Sequence, residues 1–250
     1  MPEQLSLLLQ PDAPATAPAP APADWRVRVS RRARHLKIQV FPHGGVEIVV
    51  PPRTRSCDIE TFVAAHREWI AATRAKFLQQ RPAESALPET VELRALGIAC
   101  GIEYRRVETA RPAINDAGQT LQVQAPDLSP GTVWPLLRGW LKLRARAHLP
   151  RLALRVGAEL GLNPRRVQVR LQRTRWGSCS ARGTLSLNAA LLLRPPEQMH
   201  YVLVHELCHL RHMNHSGRFW ALVERHVPDY RALDRQLDEA WQTAPNWLIG

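Results

Sequence analysis

The sequence predicts an α+β protein in which a β-rich N-terminal region precedes a more helical C-terminal unit. Apolar and polar residues alternate in "WRVRVS" and in "HLKIQVFPHGGVEIVVPP", where Gly-Gly is typical of a hairpin turn between two strands. From about residue 131 stretches with helical spacing dominate, beginning with "VWPLLRGWLKLRARAHLPRLALRVGAELG". These observations predict three parts: a disordered Ala/Pro-rich tail at 1–24, the β-rich region at 25–130 and a C-terminal domain at 131–250.

The individual elements follow from local sequence signals. The run "PDAPATAPAPAPA" lacks the side chains to pack a core, so we expect an extended, mobile tail. "CDIETFVAAHREWIAATRAKFLQQ" has helical spacing with Asp58 as N-cap, and Pro195–Pro196 is placed where a later helix begins. The remaining predicted strands lie at about 91–96, 100–107, 119–124, 166–171 and 184–188, and the remaining helices at about 132–160, 196–212, 216–226 and 229–242.

Composition narrows the class of protein. Hydrophobic residues make up 45% of the 250 residues, as in a globular protein, and the longest apolar runs are far too short for a membrane span. The N-terminus has no basic region before its short apolar run, and the four cysteines form no CxxC pair, so we expect a cytoplasmic protein without disulfides. A net charge of +12 favours anionic partners such as nucleotides or nucleic acid.

The stretch "YVLVHELCHLRHMNHSGRFW" holds four of the ten histidines and contains an HExxH motif. On a helix, His205 and His209 are one turn apart on nearly the same face, where both can reach one metal ion. Two imidazoles with an open position suit Zn²⁺, and Glu206 between them would face a water bound to the zinc. The motif therefore predicts a zinc site with Glu206 as general base.

A third protein ligand is needed, and several residues could supply it. His215 is favoured because Asn214 can end the helix and let the chain turn back towards the ion. The other candidates are His212, Glu224, His226 and Cys179.

The motif order resembles that of one metallopeptidase family. "TRWGSCS", "LSLN", "YVLVHELCHLRHMNHSGRFW" and "PDY" together resemble the YgjP-like minigluzincins, which are relatives of the SprT-like proteases and are described as metal-dependent hydrolases. The likeness covers about residues 25–240. It implies a zincin-like catalytic unit, one zinc per chain bound by His205, His209 and His215, and a catalytic role for Glu206.

Four further residues are candidates for substrate binding. Arg175 and Ser178, in "RWGSCS", could bind a carbonyl or anionic group, although a packed turn is an equal alternative. Asn188 could fix a strand that pairs with an extended substrate. Tyr230 could donate a hydrogen bond to a developing oxyanion. For Asn188 and Tyr230, ordinary packing roles are favoured.

The leading functional hypothesis is a zinc metallopeptidase that acts on peptide or protein substrates. The first alternative is a metal-dependent phosphohydrolase, in which the same metal site hydrolyses a phosphate ester of a nucleotide instead of a peptide bond. The second is a nucleic-acid-associated binding protein with a protease-like site, for which the basic segments Arg26–Arg34 and Arg138–Arg155 are the supporting feature. We expect the HExxH helix to be buried between strands on one side and the last two long helices on the other.

Overall fold

The computed structural model describes residues 25–31, 33–40, 45–79, 87–108, 111–172, 175–241 and 244–249. Within these ranges, ten β-strands and seven α-helices form a mixed architecture, which confirms the predicted α+β class. The chain divides into two compact units. The predicted Ala/Pro-rich tail and residues 41–44 of the hairpin turn lie outside the described residues, and the predicted domain boundary near 130 stays a prediction.

The first unit holds the described residues up to Gln39 together with Gly45–Ala65. Its strands form one sheet in the order β1-β3-β2, and β1 runs parallel to β3. The Arg28 guanidinium pairs with Glu47 across these two strands, with 2.7 Å between Nε and Oε2. The elements are β1 Arg26–Val29, β2 Lys37–Val40, β3 Val46–Val50 and α1 Ser56–Ala65.

The helix predicted over residues 57–80 is two helices in the structure. α1 ends at Ala65 and α2 spans Arg67–Gln79. Helical hydrogen bonding resumes at His66, whose carbonyl accepts from the Ile70 N–H at 2.9 Å. α2 belongs to the second unit, which also holds every later element.

The first sheet of the second unit has the order β4-β5-β7-β6, with β5 and β7 parallel and the outer pairs antiparallel. Alternate residues of β7, among them Leu121 and Val123, are fully buried, so one face of this sheet contributes to the core. The strands predicted at about 91–96, 100–107 and 119–124 correspond to β4, β5 and β7. The short and largely exposed β6 was not predicted. The bounds are β4 Thr90–Leu93, β5 Ile98–Arg106, β6 Ala113–Asp116 and β7 Thr120–Ala125.

The long helix α3 spans Pro130–Leu160 and continues through Pro150. It ends where Gly161 adopts a left-handed φ of 65°, and the Leu162 N–H donates to the Gly157 carbonyl at 2.8 Å. This is the hydrogen-bonding pattern of a glycine-terminated helix. A stripe of buried residues from Val133 to Val156 packs α3 into the same hydrophobic core as the sheets and the later helices.

The second sheet of this unit has the order β8-β10-β9. The central strand β10 pairs in parallel with β8 and antiparallel with β9. The predicted strands at 166–171 and 184–188 are β8 and β10, but β9 lies where a loop was expected, because three residues are too short to show a strand pattern. The bounds are β8 Arg166–Arg170, β9 Gly177–Cys179 and β10 Thr184–Asn188.

Four helices complete the chain, and α4 is the most deeply buried of them. Nine of its residues are buried, and it contacts β9, α3, α5 and α6. The bounds are α4 Pro196–Cys208, α5 Gly217–His226, α6 Tyr230–Ala240 and α7 Asn246–Ile249. None of the described helices combines the length and the apolar content needed to cross a membrane.

Candidate metal centre

The C-terminal end of α4 carries the histidine-rich motif. Pro196 occupies the first turn of α4, where its missing N–H needs no partner. Whereas helix was expected to about residue 212, α4 ends at Cys208, and the Leu210 and Arg211 N–H groups bond three residues back in tighter turns. His205 and Glu206 therefore lie on the last turn, and His209 is the C-cap residue.

Three histidines meet at this end of the helix. The Nε2 atoms of His205 and His215 are 3.1 Å apart, and one nitrogen from each of His205, His209 and His215 falls within a common span of 4.8 Å. Two nitrogens of a tetrahedral zinc site are separated by about 3.3 Å, since each bond is about 2.0–2.1 Å long. The donor set and its spacing therefore fit a zinc ion after small rotations of the rings.

Hydrogen bonds on the far side of two imidazoles orient them. The His209 Nδ1 lies 3.0 Å from the His212 carbonyl oxygen, which accepts a proton only from Nδ1–H and so leaves Nε2 as the free donor atom. The Tyr201 hydroxyl lies 3.4 Å from the His205 Nδ1 and donates to Asp234 Oδ1 at 2.8 Å. Asp234, Tyr201 and His205 thus form a chain that leads from α6 to the candidate metal site.

Aromatic rings hold the three imidazoles from the side of α5. The Phe219 ring is fully buried and stacks on His209 with centroids 4.5 Å apart. The Trp220 ring stacks on His215 at 5.4 Å. Since His215 is exposed to solvent while His209 is buried, the cluster is open on one side only.

Burial favours the neutral form of the His205 and His209 imidazoles, which is the form that metal ligation requires. It lowers the pKa of His205 to about 3, and the neighbouring charges of His209 and His215 act in the same direction. Burial also lowers the pKa of His209, against the opposing effect of its bond to the His212 carbonyl.

The Glu206 carboxylate is buried beside the histidines. Burial raises its pKa to about 8, and the positive charge of Arg175 offsets part of this rise. Among the described residues, nothing hydrogen-bonds its buried Oε2 atom. A buried carboxylate oxygen without a partner is costly unless a ligand or water satisfies it, so this atom fits a group whose task is proton transfer.

β9 packs directly against Glu206 through a glycine. A Cβ atom placed on Gly177 would lie 2.6 Å from the Glu206 Cγ and 2.7 Å from its Oε1, closer than van der Waals contact allows. The Trp176 indole anchors this strand by donating to the Leu237 carbonyl at 3.1 Å and stacking on Trp241. Sequence reasoning missed the role of Gly177, although its place beside Trp176 in "RWGSCS" was the available signal.

The four predicted substrate-binding residues lie in different settings. Arg175 is exposed and close enough to Glu206 to lower the pKa of its carboxylate. Ser178 is half-buried on β9, opposite Ser186 of β10. Asn188 is fully buried, and its side-chain amide donates to the carbonyls of Gln172 and Arg175 at 2.8 Å each.

Tyr230 is buried and is separated from the histidines by one aromatic ring. Its ring stacks on Trp220 at 5.1 Å, and its hydroxyl accepts from the Arg231 Nε at 3.1 Å. The alternative metal ligands considered from sequence do not join the three-histidine group in the described part of the chain. They are His212, Glu224, His226 and Cys179.

Three histidines beside a buried glutamate, on an α+β scaffold, are typical of a metal-dependent hydrolase. The family model "YgjP-like, metallopeptidase domain" matches residues 34–240, and the chain belongs to this family. The resemblance seen in the sequence is thereby confirmed.

Comparison with solved structures and with curated proteins adds the following. The crystal structure of the metallopeptidase zymogen of Pyrococcus abyssi abylysin is similar at 28% identity, over 38% of this chain and 95% of that chain, with a TM-score of 0.35. None of the curated proteins matches the chain.

Proposed function

We propose that this metallopeptidase is a zincin-like zinc peptidase whose ion is held by His205, His209 and His215. The observation that supports the proposal most directly is the convergence of three imidazole nitrogens within 4.8 Å next to a buried glutamate oxygen that lacks a partner. When bound, zinc would supply Lewis acidity that polarises the scissile carbonyl and acidifies a water molecule.

Within this proposal Glu206 moves the proton. Its partnerless Oε2 accepts a proton from the attacking water, and the same atom later delivers that proton to the nitrogen of the leaving amine. Burial raises the pKa of Glu206 to about 8, and the charge of a bound metal ion would lower it and favour the ionised form that accepts the proton. The absence of a side chain at Gly177 lets β9 pack directly against the Glu206 carboxylate.

Within the described residues, one positive charge acts on the Glu206 carboxylate. Arg175 is the group whose charge acts on Glu206, and it is exposed where a substrate would enter. We therefore assign to Arg175 a role in orienting a carbonyl or terminal carboxylate of the peptide, while Asn188 holds the backbone of the preceding loop in place.

Parallel screening of the zinc-loaded protein against a peptide library and against nucleoside triphosphates tests this function. We expect peptide cleavage that falls by at least about 10²-fold in Glu206→Gln, since general base catalysis contributes that much, while zinc content is unchanged. His205→Ala should lose both zinc and cleavage. Hydrolysis of phosphates that depends on Glu206, with no peptide cleaved, would contradict the proposal and favour a phosphohydrolase.

A further inference from the structure

A basic groove lies between β8 and α3, within the second unit. Its volume is about 690 Å³, and its lining combines residues 166–171 with Lys142, Arg146 and Pro150 of α3. The lining includes four cationic side chains and no carboxylate, because Lys142, Arg146, Arg166 and Arg170 are its only charged members. The groove therefore has a strongly positive potential and selects anionic groups.

The four cations are available to a ligand. Arg146, Arg166 and Arg170 are exposed, and Lys142 is half-buried. Within the described part of the chain, none of the four forms an ion pair with a carboxylate. The Arg170 guanidinium has a single long contact of 3.5 Å, to Gln168 Oε1. An incoming anion would thus not have to displace an existing salt bridge.

The groove also borders the edge of a β-sheet. Among the described strands, β8 pairs with β10 alone. The Arg166 N–H points towards β10 and donates to the Gly183 carbonyl. Since backbone groups of alternate residues point to opposite sides of a strand, Val167 and Val169 direct their N–H and C=O groups away from β10, into the groove that they line. An unpaired edge of this kind is a template for an added strand.

This edge is distinct from the one at the candidate metal centre. β8 and β9 are the two opposite edges of the three-stranded sheet, and it is β9 that packs on Glu206. Two strand spacings, or about 10 Å, separate the two edges. The groove can therefore be occupied while the metal centre remains open to a substrate.

We propose that the groove between β8 and α3 binds an extended acidic peptide segment of a partner protein, which pairs with β8 as an additional strand. The free backbone groups of Val167 and Val169 supply the strand pairing, and the cations on both sides of the groove bind alternate carboxylates. The groove favours a peptide over single-stranded nucleic acid because none of its lining residues is aromatic, and bases bind such grooves chiefly by stacking on aromatic rings.

Fluorescence anisotropy with a labelled peptide of alternating glutamate and threonine tests the proposal on the full-length protein. We expect saturable binding that weakens as salt rises. The variant Arg166→Glu/Arg170→Glu should raise Kd by at least about tenfold, because two attractive contacts become repulsive. Arg151→Glu/Arg155→Glu is the matched control: it makes the same charge change at two exposed residues of α3 that do not line the groove, and it should bind within about twofold of the wild type.

A second probe tests strand pairing without changing the protein. The same peptide, N-methylated at alternate residues, keeps its carboxylates but cannot donate backbone hydrogen bonds on one edge, so we expect its affinity to fall sharply. Equal affinity of the methylated peptide, or equal losses in both double variants, would overturn the proposal. It would also be overturned if oligo-dT bound through Arg166 and Arg170 while the acidic peptide did not bind.

Discussion

At the residue scale, the position of Glu206 depends on a neighbour that has no side chain. Gly177 brings the backbone of β9 to the glutamate so closely that a Cβ atom would lie 2.6 Å from Cγ. The opposing contact is the buried Glu206 side chain on the last turn of α4, so relief of the clash would displace Glu206 itself. Substitution at Gly177 therefore acts first on the proposed general base.

We predict that Gly177→Ala lowers kcat by roughly 10²-fold, because it displaces the Glu206 carboxylate from its reacting position. Overpacking should also cost about 1–3 kcal/mol of stability. Gly139→Ala is the matched control, since a Cβ at Gly139 on α3 meets no atom within 4 Å, and it should keep full activity. Peptide turnover and urea unfolding measured on both variants check this, and wild-type kcat in a folded Gly177→Ala protein would contradict it.

The Tyr201 hydroxyl is a second group that acts indirectly, through the His205 imidazole that it contacts. It is buried and joins the His205 Nδ1 to the Asp234 carboxylate. We predict that Tyr201→Phe weakens zinc binding by about 10–100-fold, as loss of such outer partners of a ligating histidine does. Zinc competition titration measures the change.

Tyr104→Phe provides the control for loss of a hydrogen-bonded tyrosine hydroxyl away from the histidines. The Tyr104 hydroxyl donates to the Pro88 carbonyl at 2.7 Å, in the sheet β4-β5-β7-β6. This variant should lose stability without any change in zinc affinity. If both tyrosine variants bound zinc like the wild type, the Tyr201 hydroxyl would have no orienting role.

At the scale of elements, the link between β6 and α3 depends on a carboxylate. Asp116 accepts from the Trp140 Nε1 at 2.7 Å and from an Arg144 guanidinium nitrogen at 2.6 Å. Burial alone would raise the pKa of Asp116, but the bonds from Arg144, Trp140 and the Gly118 N–H outweigh it and lower the pKa below its usual 3.8. The ionised form is therefore the one that stabilises the packing of β6 on α3.

We predict that Asp116→Asn lowers the free energy of unfolding by about 1–2 kcal/mol at neutral pH. Because the folded pKa is depressed, this stabilisation is complete above the unfolded value near 3.8 and is lost as pH falls below it. Urea unfolding at several pH values should show the wild-type and variant curves converging in acid. Asp58→Asn, which removes an exposed ion pair with Arg55, is the control. If the wild type remained more stable than Asp116→Asn at pH values well below the folded pKa, the ionised Asp116 carboxylate would not be the source of the stabilisation.

The elements also show which features a sequence can reveal. The helix with His205 and His209 was predictable because four-residue spacing has a fixed geometric meaning on a helix. β9 and β6 were not, since strands of three and four residues carry too little periodicity. The contacts of Gly177 with Glu206 and of Tyr201 with Asp234 were also hidden, because each joins residues far apart in the chain, and no local pattern encodes such contacts.

At the scale of the whole molecule, the candidate metal centre brings together residues from α4 and from the segment that follows it. His205 and His209 come from the end of α4, while His215 lies in the segment that leads to α5. An ion bound to all three would connect these elements in the native state alone. Binding should then contribute to global stability as well as to catalysis.

We predict that zinc removal lowers the Tm of the full chain. At free zinc about 100-fold above Kd, binding stabilises the native state by about 2.7 kcal/mol, which corresponds to roughly 5–10 °C for a chain of this size. Differential scanning fluorimetry with and without chelator measures the shift, and His205→Ala should show none. Equal Tm values for the zinc-loaded and chelated wild type would contradict the prediction.

We propose that His215 completes the zinc site. Elemental analysis of zinc per chain tests it most directly, on the wild type, His215→Ala and Glu224→Ala purified in parallel. The wild type and Glu224→Ala should each retain about one zinc, because the three-histidine cluster excludes Glu224, while His215→Ala should lose most of it. If His215→Ala kept its full zinc content and Glu224→Ala lost it, the assignment of His215 would be wrong. The third ligand would then be Glu224 of α5.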